Sequence, residues 1–205
     1  MVTMTSSVAE AEELERMRRR IFLGLFAALA VALHTLEALL PSPAPWFRLG
    51  FANILTLTAL FLYGGRAAWS LTLTRIGVGS LVLGSLFSPG FFLSLAGGTL
   101  ATALMVGAKA LFGQRIGPVG VSALGACGHA AGQLLVAWLL LVRHPGLLNL
   151  FPLFFLFALG TGIANGIAAS FLLDLLRSHH AFGGSTESST GNPPPLPEKN
   201  ERTPT

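Results

Sequence analysis

The stretch SLTLTRIGVGSLVLGSLF, residues 70–87, carries a single charged residue, Arg75, and no other charge occurs between Ala67 and Phe87. An apolar run of this length is typical of a helix that crosses a membrane, which takes about 20 residues. An arginine near the middle of such a helix costs about 2.5–3.5 kcal/mol on insertion scales, so it requires a partner, a water-filled cavity or a ligand. The segment therefore predicts a membrane helix with a polar environment around Arg75.

The composition of the whole chain agrees with a lipid-facing protein. Of 205 residues, 52% are hydrophobic and only 11% are charged, whereas a soluble domain carries about 25% charged residues. The pI of 10.2 reflects basic residues that flank apolar segments. A nucleic-acid-binding face would need Lys and Arg clustered among polar neighbours, so no nucleic-acid partner is expected. The single cysteine, Cys127, excludes an internal disulfide.

Six segments have the length and apolar character of membrane helices, or nearly so. The second is short and is separated from the third only by GGR at 64–66, so the pair forms either a tight helical hairpin or one re-entrant unit. We predict an all-α integral membrane protein, a compact bundle of six transmembrane helices. The segments are 21–40, 49–63, 67–87, 91–112, 119–142 and 147–176.

Charge distribution predicts the orientation of the bundle. With six crossings, eight basic residues fall on one side and two, Arg48 and Arg143, on the other, and the side richer in Lys and Arg is normally cytoplasmic. Both termini are therefore predicted to be cytoplasmic, in a multi-pass protein of the bacterial inner membrane. Residues 1–20 are predicted as a polar, basic arm, residues 21–176 as the membrane domain, and residues 177–205 as a disordered, proline-rich tail. The eight basic residues on the predicted cytoplasmic side are Arg16, Arg18, Arg19, Arg20, Arg66, Lys109, Arg115 and Arg177.

Polar residues inside the apolar segments are few, and most fall at a similar depth when each helix is counted at about 1.5 Å per residue. Asn165 lies nearer the centre of its segment and Asp174 at its cytoplasmic end, so neither joins the group by this count. We predict that six of the others line a binding site for a small polar or anionic molecule in the outer half of the membrane. They are Glu37, Asn53, Arg75, Ser94, His129 and Gln133.

Within this group, Glu37 is the acidic residue available to Arg75, which predicts an ion pair. The alternative is a structural clamp that holds no ligand. His34 is interpreted as a hydrogen-bonding residue between helices, and His129 with Gln133, spaced i,i+4, as a pair facing the site. No H-x-x-x-H motif or Cys/His cluster occurs on one segment, so neither a metal nor a cofactor is predicted.

Small residues suggest where helices approach one another. Gly24, Ala28 and Ala32 form a smooth ridge on the first segment, suited either to a partner helix or to packing within the chain. The pairs Gly128/Gly132 and Gly162/Gly166 predict close helix packing inside the bundle.

Three blocks of sequence, at 36–60, 74–98 and 120–137, together resemble the Gx transporter family, which is also named heptaprenyl diphosphate synthase component I. That family is similar in its six-helix plan to the substrate-binding S-components of energy-coupling-factor vitamin transporters. The motifs that carry the resemblance are Leu36-Glu37, Gly50 with Asn53, Arg75 with Gly79, Ser94 with Gly97-Gly98, and Gly128-His129 with Gly132-Gln133.

The resemblance implies a substrate held near the outer side by the first loop and the later helices. It also implies that an A-x-x-x-A ridge on the first helix, met here by Ala28 and Ala32, contacts a coupling subunit. It specifies no substrate. The long proline-rich tail departs from the family pattern without touching any of these motifs.

Two functions follow from these observations. The first is a non-enzymatic substrate-capture subunit; because no G-x-x-x-x-G-K-[ST] motif occurs, a coupling protein and an ATPase would act in trans, or the protein would be a facilitator. The second is an accessory membrane component of a prenyl diphosphate synthase. Prenyl transfer needs magnesium held by clustered aspartates, and this chain has only Asp174, so it would not be the catalytic part. A scaffold without ligand is a third possibility.

Overall fold

The computed structural model of the chain describes residues 2–39, 50–141, 143–144 and 146–178. Every regular element within these ranges is helical. The PSPAPW stretch at 41–46, Arg48 and the tail from residue 179 lie outside the described residues. In chain order the helices are α1 (Val2–Leu39), α2 (Ala52–Tyr63), α3 (Gly65–Val82), α4 (Pro89–Phe112), α5 (Pro118–Leu140), α6 (Gly146–Asn149) and α7 (Phe151–Ser178), with a 3₁₀ turn at Gly113–Arg115.

The six predicted segments correspond to α1, α2, α3, α4, α5 and α7. The remaining helix, α6, is a single turn just before α7. The all-helical class is therefore confirmed. Four helices, α1, α4, α5 and α7, are long and apolar enough to cross a membrane. The 12 residues of α2 extend only about 18 Å, and the 18 residues of α3 include two arginines. By length and composition alone, four of the six helices are therefore long and apolar enough to cross a membrane, and the six crossings stay a prediction.

The segments 49–63 and 67–87 form two distinct helices with a single residue, Gly64, between them. Gly64 adopts φ +86°, a conformation that L-residues with a side chain rarely reach, which explains the glycine at this break. The two helices pack against each other. The pair is therefore a tight helical hairpin whose first arm is short.

The polar arm continues into the first apolar segment, since α1 runs for 38 residues without a break. Arg16 and Glu12 form an ion pair at 2.9 Å on its exposed face, as their i,i+4 spacing predicts. Further along α1, Arg19 donates from Nη2 to the backbone oxygen of Tyr63 at 3.1 Å. This contact places the arginine-rich part of α1 beside the end of α2.

Close helix packing is concentrated at α4, α5 and α7. A Cβ atom on Gly132 of α5 would lie 2.6 Å from the backbone oxygen of Ala96 on α4, and one on Gly166 of α7 would lie 2.6 Å from Cα of Val119 on α5. Neither position has room for a side chain. The close approach predicted from Gly128/Gly132 and Gly162/Gly166 is confirmed.

The outer surface of the bundle is apolar, with exposed Leu, Ile, Val and Phe side chains along all four long helices, such as Ile21, Leu104, Leu135 and Phe171. Polar side chains, in contrast, are buried between the helices. In water-soluble proteins, most apolar side chains are buried and most polar side chains are exposed. An apolar exterior around polar contacts is the arrangement expected when the surrounding solvent is lipid.

Candidate functional site

Arg75 lies in the interior of the bundle, on the face of α3 that packs against α2. Its side chain is only 2% exposed. Its Nη2 donates to Oδ1 of Asn53, in the first turn of α2, at 2.6 Å. A short hydrogen bond from a charged donor is among the stronger polar contacts in proteins. Of the six predicted site residues, Asn53 and Arg75 are thus brought into direct contact.

Gly50, just before α2, connects the helices on either side of this pair. Its backbone N–H donates to Oε1 of Glu37 on α1, and its carbonyl oxygen accepts from Nδ2 of Asn165 on α7 at 3.3 Å. The residue adopts φ +73°, and a Cβ here would lie 3.1 Å from Nδ2 of Asn53. The conformation therefore favours glycine, and a side chain here would also press on the Asn53 amide.

The placement of Asn165 corrects the prediction that it lies apart from the site. Its Nδ2 donates to the Gly50 carbonyl, and both Leu176 of α7 and Tyr63 of α2 pack against the same buried cluster. At about 1.5 Å per residue, Gly50 is about 20 Å from Tyr63 and Asn165 about 17 Å from Leu176. The depth count missed this contact because it considered each segment alone and did not include the relative heights of α2 and α7.

Glu37 and Arg75 are connected through intermediates: Glu37 holds the Gly50 backbone, Gly50 adjoins Asn53, and Asn53 accepts from Arg75. Both side chains are buried. The direct ion pair between them stays a prediction. The chain of contacts nevertheless includes α1, α2, α3 and α7 in one polar layer.

His129 and Gln133 occupy the other side of this layer, on the face of α5 that packs against α4. A Cβ on Gly97 of α4 would lie 2.8 Å from Cγ of Gln133 and 3.0 Å from Nδ1 of His129. Both side chains are buried. Nε2 of Gln133, in a side chain only 3% exposed, has no hydrogen-bond acceptor within the described residues. A buried donor left in this state costs about 1–3 kcal/mol, so it is a natural position for a ligand oxygen.

Two adjacent glycines of α4 separate Arg75 from the α5 pair. Gly97 faces His129 and Gln133, while a Cβ on Gly98 would lie 3.7 Å from Nη2 of Arg75. The absence of side chains lets polar groups approach α4 from both sides. Ser94, one turn earlier, is buried, but its Oγ donates to the Gly90 carbonyl of its own helix at 2.9 Å.

A buried set of threonines next to this layer was missed by the sequence reasoning. Oγ1 of Thr72 lies 2.8 Å from Oγ1 of Thr102 and 3.5 Å from Oγ1 of Thr56, which joins α2, α3 and α4. The signal was present in the spacing: Thr72 precedes Arg75 by three residues and Thr56 follows Asn53 by three, so each shares a helix face with a site residue.

His34 is buried between α1 and α3, where a Cβ on Gly79 would lie 2.6 Å from its Cδ2. This position agrees with a role in helix packing. Over the described part of the chain, no three His, Cys, Asp or Glu side chains are grouped so that they could hold a metal ion.

The predicted ridge of Gly24, Ala28 and Ala32 lies on the exposed face of α1. Nothing approaches within 4 Å of the position of a Cβ on Gly24. Packing within the described part of the chain therefore does not account for these three small residues.

The family model for heptaprenyl diphosphate synthase component I matches residues 26–172. The chain belongs to this family. The matched region contains all six predicted site residues together with Gly50 and Asn165. Gly24 and the arginine-rich arm lie before it. Searches of curated proteins and of solved structures find no match to the chain.

Proposed function

We propose that this component I family member is a membrane-embedded subunit that captures a small polar or anionic molecule from the outer side of the bacterial inner membrane. The four long apolar helices and the apolar exterior support a multi-pass membrane location. In the proposed orientation both termini are cytoplasmic, with the basic arm of residues 1–20 at the inner surface.

The observation that carries the proposal is the burial of Arg75 against Asn53 in the polar interior of a bundle whose exterior is apolar. A guanidinium is rarely kept at such a position for packing, because apolar residues of similar volume are often at least as stabilising as a buried ion pair. Arg75 supplies positive charge and a planar set of donors that suits carboxylate or phosphate oxygens. The Nε2 group of Gln133 would donate to a polar group on the same ligand.

Transport would need an energy source outside this chain. The sequence lacks a phosphate-binding loop of the G-x-x-x-x-G-K-[ST] type, so we assign ATP hydrolysis to a separate subunit, joined through a coupling membrane protein. The exposed ridge of Gly24, Ala28 and Ala32 is the proposed contact with that protein, because small residues let two helix backbones approach closely.

The alternative function is suggested by the family description itself: a non-catalytic membrane component of a heptaprenyl diphosphate synthase. In this function the chain would hold or present a prenyl lipid to a soluble catalytic partner. The one aspartate, Asp174, lies near the end of α7 and offers no clustered carboxylates for magnesium.

Native mass spectrometry of the full chain from its own membranes tests the proposal. We expect a small polar adduct on the wild-type protein and its loss, by at least about tenfold in occupancy, in Arg75→Ala, because hydrogen bonds to charged groups contribute about 1.5–3 kcal/mol each. Arg143→Ala is the matched control, since Arg143 lies just after α5, is exposed, and among the described residues donates from Nε to the Leu139 carbonyl.

An adduct that persists unchanged in Arg75→Ala would contradict the proposed site. A co-purifying prenyl lipid or soluble synthase subunit, equally abundant in both variants and in wild type, would instead support the accessory function. Monodisperse elution of Arg75→Ala in size-exclusion chromatography is the condition for either comparison.

The ridge can be tested separately by Ala28→Trp. A bulky side chain at the centre of the ridge is expected to abolish co-purification of a coupling membrane protein and its ATPase, because it prevents close approach of two helices. Ala103→Trp, at an exposed alanine of α4, is the control and should retain the partner. Equal recovery of the partner with both variants would exclude the ridge as the contact.

A further inference from the structure

We propose a second binding site, for a phosphate-bearing group, in the groove between the arginine-rich turn of α1 and the first turn of α3. The groove has a volume of about 330 Å³. Four arginines line it, together with the small residues Ala67 and Ser70 from the first turns of α3. The arginines are Arg16, Arg19, Arg20 and Arg66.

Two of these arginines already have partners. Arg16 is paired with Glu12 at 2.9 Å, and Arg19 donates to the Tyr63 carbonyl, which ends α2. Arg20 and Arg66 form neither a hydrogen bond nor an ion pair with any residue in the described ranges. They come from different helices and line the same groove, so both guanidinium groups are available to one anion.

The beginning of α3 adds donors of a different kind. Gly64, at the N-cap position, has no side chain to cap the helix, which leaves the first backbone N–H groups of an 18-residue helix without a capping acceptor. The N-terminus of a helix carries partial positive charge and binds phosphate oxygens through these groups. The residues of this turn, Arg66 and Ala67, line the groove.

Acidic residues near the groove do not neutralise this charge. Glu12 and Glu15 lie with Arg16 and Arg19 around an adjoining groove, one turn or more before Arg20 on α1. Glu13 lies with Arg16 and Arg20 around a further groove but forms no ion pair with Arg20 among the described residues, so Arg20 and Arg66 keep their charge for an anion. Arginine pairs recognise phosphate groups through bidentate hydrogen bonds.

The proposed site is distinct from the polar layer around Arg75. Nine residues of α3 separate Arg66 from Arg75, a distance of about 14 Å along the helix. The phosphate group has two sources that fit this chemistry: the headgroup of an anionic phospholipid, whose chains would follow the apolar side chain of Leu23 at the groove wall, or a soluble diphosphate. The experiment is arranged to separate them.

The full-length protein is purified as wild type, as Arg20→Gln/Arg66→Gln, and as Arg115→Gln, which removes an exposed arginine outside the groove. Inorganic diphosphate binding is measured by isothermal titration calorimetry in a neutral detergent. Retained phosphatidylglycerol is measured by native mass spectrometry after reconstitution in vesicles of phosphatidylcholine and phosphatidylglycerol followed by mild extraction. All substituted arginines are exposed, so the variants should fold, and circular dichroism checks this.

We expect the double variant to lose at least about tenfold in affinity or lipid occupancy, because two charge-assisted contacts are removed, while Arg115→Gln changes less than about twofold. Loss of diphosphate binding identifies a soluble ligand, and loss confined to phosphatidylglycerol identifies a lipid headgroup. Wild-type binding should also weaken as salt is raised. Equal effects of the double variant and Arg115→Gln, or no binding of either probe to wild type, would overturn the proposal.

Discussion

Replacement of Asn53 by leucine is expected to lower the free energy of unfolding by about 3 kcal/mol. The substitution removes the Oδ1 atom that accepts from Nη2 of Arg75 at 2.6 Å, where both side chains are buried. Loss of a hydrogen bond to a buried charged group costs about 1.5–3 kcal/mol, and the depth of burial of this guanidinium favours the upper end. Denaturing-detergent titration in mixed micelles measures the change.

A double-mutant cycle distinguishes this contact from a general packing effect. The double variant Asn53→Leu/Arg75→Met should lose at least about 1 kcal/mol less unfolding free energy than the two single variants lose together. Asn53→Leu alone takes a hydrogen-bond acceptor away from a buried charge, whereas in the double variant that charge is also gone. Asn149→Leu, at an exposed asparagine, is the control and should change stability by no more than about 0.5 kcal/mol. Additive effects would show that Asn53 and Arg75 are not coupled.

Gly132→Ala is expected to destabilise the bundle by about 1–3 kcal/mol, although alanine is the better helix former. A methyl group at this position would lie 2.6 Å from the Ala96 carbonyl oxygen, and a backbone atom cannot move aside as a flexible side chain can. Helices α4 and α5 must therefore separate, with the usual cost of overpacking a well-packed interface. The same separation should displace Gly97 from His129 and Gln133 and weaken retention of the proposed ligand.

Gly107→Ala on α4 is the matched control for this prediction. Gly107 is also inside a helix, but no atom lies within 4 Å of its Cβ position, so only the intrinsic helix preference changes. That preference should raise stability by up to about 1 kcal/mol. Opposite signs for the two variants are expected in thermal denaturation of the purified protein, whereas stabilisation by both would contradict the close packing of α4 and α5.

Much of the fold could be predicted from the sequence. The apolar runs locate the helices because a helix that faces lipid must be apolar along its length, and breaks at Gly and Pro mark where it ends. The sequence also identified Arg75 and Asn53, which contact each other, as site residues. A polar side chain within an apolar run needs a polar partner or a water-filled cavity, so such residues can be recognised from the sequence.

Other features were decided only by tertiary structure. Counting depth within each segment left Asn165 apart from the site residues, whereas the packed bundle brings Gly50 and Asn165 together. The Gly50 N–H and carbonyl that link Glu37 to Asn165 are backbone groups, which every residue possesses and which therefore give no sequence signal. Helix periodicity places residues on the face of one helix, but the heights and rotations of several helices depend on where small residues let them approach. For that reason Gly97 and Gly98 could be recognised in the sequence as a motif, whereas their position between Arg75 and the α5 pair required the packed bundle.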